Sequence, residues 1–223
     1  MQQLLAFAAA LVALRLSGRL ALRWRARRSP ELSAWAAALL AYAIACAALA
    51  WGAAAGWDGR VFRVYYLFGG LLSAPLLGIG SLLLARRTWA VTVGHVYTWA
   101  AVGVAIAMPL THTIHGHGIP SAQTHVDFFP GRLLALIGNT VGTLAVVGVA
   151  LLTFRRRMFG NGLILAGVTI AAVGSALGGL GEGGTAALLA AGAALLYAGF
   201  VAPASLQSAR SSLTRQQLGR LSP

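Results

Sequence analysis

Lysine is absent from this 223-residue chain, and acidic residues number only four. Without a lysine amine no retinal Schiff base can form. Glu31, Asp58, Asp127 and Glu182 all fall outside the cores of the apolar runs. That placement counts against a proton-coupled pump, which needs carboxylates deep in the bilayer. The single cysteine, Cys46, excludes an internal disulfide and CxxC redox exchange. It reads as a small buried apolar side chain. No HExxH, GxSxG or P-loop pattern occurs, so the common hydrolase and nucleotide-binding signatures are missing. A bis-histidine haem needs two facing histidines in the membrane, and only His95 lies within an apolar run.

What remains is hydrocarbon and arginine. The chain is 58% hydrophobic and 9% charged, with a mean hydropathy of +0.77, whereas soluble domains run near 25% charged. Seven apolar runs follow one another, each of a length suited to a bilayer of roughly 30 Å. They are Leu4 to Leu22, Ala34 to Trp51, Val61 to Ala85, Trp89 to Leu110, Leu133 to Phe154, Gly162 to Leu180 and Thr185 to Ala202. The pattern predicts an all-α bundle of seven transmembrane helices as one domain over 1–203, with a basic tail over 204–223.

All 17 basic residues are arginines, and they divide unequally between alternate sides of the runs. Fourteen fall on one side and Arg60, Arg63 and Arg132 on the other. The positive-inside rule therefore places the N-terminus outside and the C-terminus in the cytoplasm of a cell (inner) membrane. Charge follows the first run as Arg23, Arg25, Arg27 and Arg28, whereas a cleavable signal peptide carries charge before its core. Arginines at the ends of apolar runs meet the lipid bilayer and its anionic headgroups, so nucleic acid is not an expected partner. Arg15, Arg19 and Arg23 share a face and suit snorkelling or an anionic-lipid pocket. The tail leucines Leu206, Leu213, Leu218 and Leu221, interleaved with arginines, suit an interfacial helix or a docking segment.

Small residues recur at helical spacing. Gly167, Ala171, Gly174 and Gly178 mark the sixth run, and Gly138 with Gly142 the fifth. Lipid tails provide no hydrophobic drive between helices, so close approach through such residues is expected to hold the bundle. Pro75 breaks the third run and is expected to kink it.

Two groups of residues carry candidate chemistry. His112, His115, His117 and His125 with Asp127 occupy the longest external segment, Thr111 to Gly131. Imidazole and carboxylate on a Gly/Pro loop can hold zinc or copper, although the spacing matches no zinc signature. The second group is a candidate ligand pocket in the outer half of the bundle: Arg63, Tyr65, Tyr66, Asn139 and Thr140, with Thr143 nearby. Pairing of Arg63 with Asp58, Asp127 or Glu182 would close its mouth. His95, the one intramembrane histidine, and Tyr197 at similar depth complete the candidate ligand-binding set, or else pair with each other by a hydrogen bond across helices.

The stretches Glu31-Leu-Ser-Ala-Trp35 through Gly56-Trp57 and Val61-Phe-Arg-Val-Tyr-Tyr-Leu-Phe-Gly69 through Leu84 resemble small seven-span membrane proteins of high-GC Gram-positive bacteria. The layout is also similar to the seven-span sensor regions of some bacterial histidine kinases. That resemblance implies a non-enzymatic sensor, or a ligand- or lipid-binding subunit, whose output belongs to a membrane protein partner. A metal-binding or transport protein and an accessory structural subunit are the other expectations. The HxxxH of the ceramidase and adiponectin-receptor type is missing from the seventh run, and so is the Pro-Gln pair of the PQ-loop transporters.

Overall fold

Inside a bilayer each backbone N–H and C=O must find its partner within the protein, so a long apolar run has to wind as a helix. A computed structural model describes residues 2–152, 160, 162–170, 188, 191–192, 194–195 and 198–199. Among them there is no strand, only an isolated bridge between Leu110 and Val126. Five helices are long and apolar enough to cross a membrane. They are α1 (Gln2–Arg27), α2 (Pro30–Ala55), α3 (Gly59–Leu84), α4 (Ala90–Ala107) and α6 (Leu133–Leu152). A one-turn helix, α5 (Ala122–His125), lies in the segment before α6. The protein is a helical, multi-pass membrane protein.

Of the last two expected runs, residues 162–170 are helical. The two runs approach closely at glycine: a Cβ added to Gly199 would stand 2.8 Å from Ile164 Cγ1 and 2.9 Å from the Gly160 carbonyl oxygen. Tyr197, Glu182 and the basic tail lie outside the described residues.

Helices α1 and α2 extend beyond the apolar runs that announced them. Arginine is a good helix former, so α1 continues through Arg27. Pro30 opens α2 and Glu31 occupies its first turn, matching the fixed φ of proline and the positive end of the helix dipole. The α1–α2 and α3–α4 turns sit at one end of the bundle, the arginine end. They pass through Arg28 at φ 53° and Arg86 at φ 62°. Both are left-handed positions, which favour glycine over a residue with a Cβ.

The two ends are built differently. At the opposite, histidine end, Asp58 caps α3 by accepting from the backbone N–H of Arg60 and Val61, each at 2.8 Å. Gln3 Nε2 donates to the Ala53 carbonyl at 2.8 Å, clipping the start of α1 to the end of α2. The Trp57 N–H donates to the Gly116 carbonyl at 2.8 Å, tying the long histidine segment down. Thr111 N–H donates to the His125 carbonyl at 3.2 Å and closes that segment on itself. Met108, Ile114 and Val126 are buried beneath it.

Helix α1 packs on α2 through a stripe of Ala6, Ala9, Ala10, Ala13, Leu16, Ser17 and Leu20. The register is fixed where Ser17 Oγ donates to the Ala36 carbonyl at 2.7 Å. Cys46 lies in this seam against Ala9, Ala10 and Tyr42, and is only 2% exposed. The larger core cluster joins α2, α3, α4 and the histidine segment around Phe62, Leu71, Leu72 and Ala101.

Candidate functional site

The winding of α3 changes in mid-helix. Residues Gly59–Tyr65 are α-helical, Tyr66–Ser73 form a π-helix, and Ala74–Leu84 return to α. Pro75, buried in the first turn of the last portion, supplies the reason. A residue-75 N–H would donate to the Leu71 carbonyl in α-winding and to the Gly70 carbonyl in π-winding. Proline has no N–H, so both carbonyls are released.

Side chains of two neighbouring helices take them up. Tyr97 Oη, from α4, donates to the Leu71 carbonyl at 2.8 Å and more weakly to that of Leu134 at 3.4 Å. Asn139 Nδ2, from α6, donates to the Gly70 carbonyl at 2.8 Å. Ser73 Oγ donates to the adjacent Gly69 carbonyl at 2.8 Å. Two consecutive carbonyls, of Gly70 and Leu71, are thus bonded at the junction where α3, α4 and α6 meet.

Glycine makes that junction geometrically possible. A Cβ on Gly138 would strike the Tyr97 hydroxyl. One turn further along, a Cβ on Gly142 would lie 2.6 Å from the Ala74 carbonyl oxygen and 2.9 Å from Pro75 Cα. A Cβ on Gly78 would lie 2.5 Å from Gly142 Cα. Helices α3 and α6 therefore meet backbone to backbone, close enough for the Asn139 side chain to reach α3.

Above the junction, toward the histidine end, aromatic rings fill the bundle. Tyr66 stacks on the fully buried Phe62, with ring centroids 5.9 Å apart. Tyr65 meets Trp57 edge-on at 5.4 Å. The Trp57 indole lies against Gly52, and among the described residues its buried Nε1 has no hydrogen-bond partner.

Among the described residues, the sequence-predicted positions are spread over several separate contacts. Among the described residues the Arg63 guanidinium donates not to Asp58 or Asp127 but to the Ala105 carbonyl at 2.8 Å and the Ile106 carbonyl at 3.4 Å; Glu182, the third expected acid, lies outside the described residues. It caps the C-terminus of α4, where the last carbonyls lack helical partners. Asn139 serves the α3 break, and Thr140, one residue on, is exposed on the outer side of α6. Tyr66 is packed in the core, and Tyr65 is half-buried near the α2–α3 turn. His95 is exposed, its Nδ1 paired with the Val91 carbonyl of its own helix at 2.8 Å. Its expected partner, Tyr197, lies outside the described residues.

The histidine segment is only partly gathered. His112 and His125 rings stand 6.4 Å apart, nearly perpendicular. His125 Nδ1 pairs with the Ser121 carbonyl at 2.8 Å. His115, His117 and Asp127 are exposed and separate. Among the described residues no group of three or more His, Cys, Asp or Glu is placed to hold a metal ion. The expected zinc or copper set therefore does not assemble here.

Sequence reasoning missed the role of Tyr97. The available signal was Pro75: a proline inside a membrane helix releases two carbonyls, and a tyrosine and an asparagine at matching depth on other runs are natural donors. The chain matches no known family model, no curated protein and no solved structure.

Proposed function

We propose that this protein is a non-enzymatic membrane subunit that binds a small or lipid-like ligand toward the histidine end and passes a change of helix geometry to a membrane protein partner. In this reading the chain has seven spans, with the histidine segment outside and the arginine end in the cytoplasm of a bacterial cell membrane. The supporting observation is the side-chain-held break in α3. Three carbonyls of one turn are bonded to Ser73, Tyr97 and Asn139. π-segments occur disproportionately at functional sites.

In this reading the helix has two arrangements, one with those bonds made as seen here and one with them exchanged. Such an element can be biased from one end and read at the other. The aromatic cluster at Tyr65, Tyr66 and Trp57 sits at one end of α3, and Arg86 and Arg87 at the other. Anionic lipid at the arginine end fits the same scheme as an ordering surface.

The test uses nitroxide labels at Thr111 and Arg87 in a Cys46→Ser background, with distances read by pulsed electron resonance. The double variant Tyr97→Phe with Asn139→Leu is expected to shift or split the distribution by about 1.5 Å, one residue of helical rise. An unchanged distribution in a folded double variant removes this reading.

A further inference from the structure

One exposed face of α1 carries a charge that nothing in the sequence balances at its depth. Arg15 lies at the middle of α1, about 20 Å from Gln2 and about 18 Å from Arg27 at ~1.5 Å per residue. Two hydrogen bonds hold α1 along the length of α2: Gln3 with Ala53 and Ser17 with Ala36. Arg15 therefore lies within the span, about 10 Å short of Leu22 where the apolar run ends, and not beyond the edge of the bundle. It points away from the α1–α2 seam and is exposed.

An uncompensated guanidinium at that depth is costly. All four carboxylates of the chain lie outside the cores of the apolar runs. From Arg15 to Arg23, at the charged end of the helix, is about 12 Å along the axis, longer than an arginine side chain can extend.

The residues around Arg15 form a seam. Leu4, Ala8, Leu11, Arg15, Gly18 and Leu22 are spaced by four and three residues alternately and are all exposed. Residues three and four apart share one side of a helix, so these six line a single lengthwise stripe of α1. Leu11 and Leu22, which flank the charge, are 51% and 66% exposed. A Cβ on Gly18 would meet nothing within 4 Å, which leaves room for a second backbone beside the arginine.

We infer that this face of α1 docks a membrane helix of a partner protein that carries a carboxylate near its midpoint, paired with Arg15. A second copy of this chain does not fit, because it would bring arginine against arginine and has no mid-span acid to offer. The inference rests on the reading of the chain as a subunit that works through a partner. It makes no use of the α3 junction.

The probe is a designed leucine–alanine membrane helix with one central glutamate, mixed with the full chain in phosphatidylcholine vesicles. Association is followed by energy transfer between labels on the two. Replacing the peptide glutamate by leucine, or making Arg15→Leu, is expected to weaken association roughly tenfold. Combining both changes should weaken it little further, and Arg15→Lys should retain most of the binding. Arg15→Leu lies on the bilayer side and should leave folding intact, checked by circular dichroism.

Equal association of the glutamate and leucine peptides with the wild-type chain overturns the inference. Loss of peptide binding when phosphatidylglycerol is added, together with a phosphatidylglycerol-dependent thermal stabilisation that Arg15→Leu removes, assigns the face to a lipid headgroup instead and also overturns it. Either result leaves the α3 distance measurement unaffected, so failure here is distinct from failure of the functional reading.

Discussion

The α1–α2 pair and the α3–α4–α6 junction solve the same problem by opposite means. The pair keeps its backbone regular and closes the gap with small side chains, fixed by the hydrogen bond from Ser17 to Ala36. The junction gives up a regular backbone at Pro75 and recovers the lost bonds from Tyr97 and Asn139. A seam of alanines offers one favourable packing. In the broken helix, by contrast, bonds that a regular ladder would make along the chain come from side chains of other helices.

The contrast breaks most sharply at glycine. Gly142→Leu drives a side chain into the Ala74 and Pro75 backbone, which no rotamer can relieve. It should cost about 3 kcal/mol or more, or prevent folding, as read by unfolding in detergent. Gly148→Leu, on the same helix with nothing within 4 Å of the added Cβ, should be close to neutral. Equal losses at the two positions would contradict the close approach of α3 and α6.

Tyr97→Phe and Asn139→Leu each leave a carbonyl of α3 without its side-chain donor. Each should cost about 1–2 kcal/mol in the same assay. The two carbonyls adjoin and share one helix break, so the double variant should depart from additivity. Strict additivity would mean that the junction does not act as a unit.

At the turns the expected sign reverses. Arg28→Gly and Arg86→Gly remove a Cβ from left-handed positions and should each stabilise by about 1 kcal/mol. The smallest effect belongs to the regular pair. Ser17→Ala should cost only about 0.6 kcal/mol, because the α1–α2 seam is held mainly by packing.

The five long helices were legible in the apolar runs because bilayer thickness dictates their length. Their ends were less so, since Arg23 to Arg27 and Pro30 to Ser33 remain helical without being apolar. A disturbance at Pro75 could be read directly, but its form, a π-wound segment over Tyr66–Ser73, could not. It depends on Tyr97 and Asn139 arriving from helices 26 and 69 residues away in sequence from the carbonyls they meet. For the same reason polar residues at one depth, such as Arg63 and Asn139, read as ligand contacts, whereas backbone carbonyls prove to be their partners. Carbonyls carry no mark in a sequence until a proline or a helix end exposes them.

The solitary thiol of Cys46, walled in by Ala9, Ala10 and Tyr42, has a practical consequence. A maleimide can react there only while the first two helices are parted. Its alkylation rate is thus a built-in clock for spontaneous breathing of that hairpin, obtainable from unmodified protein and free of interference from any other sulfhydryl.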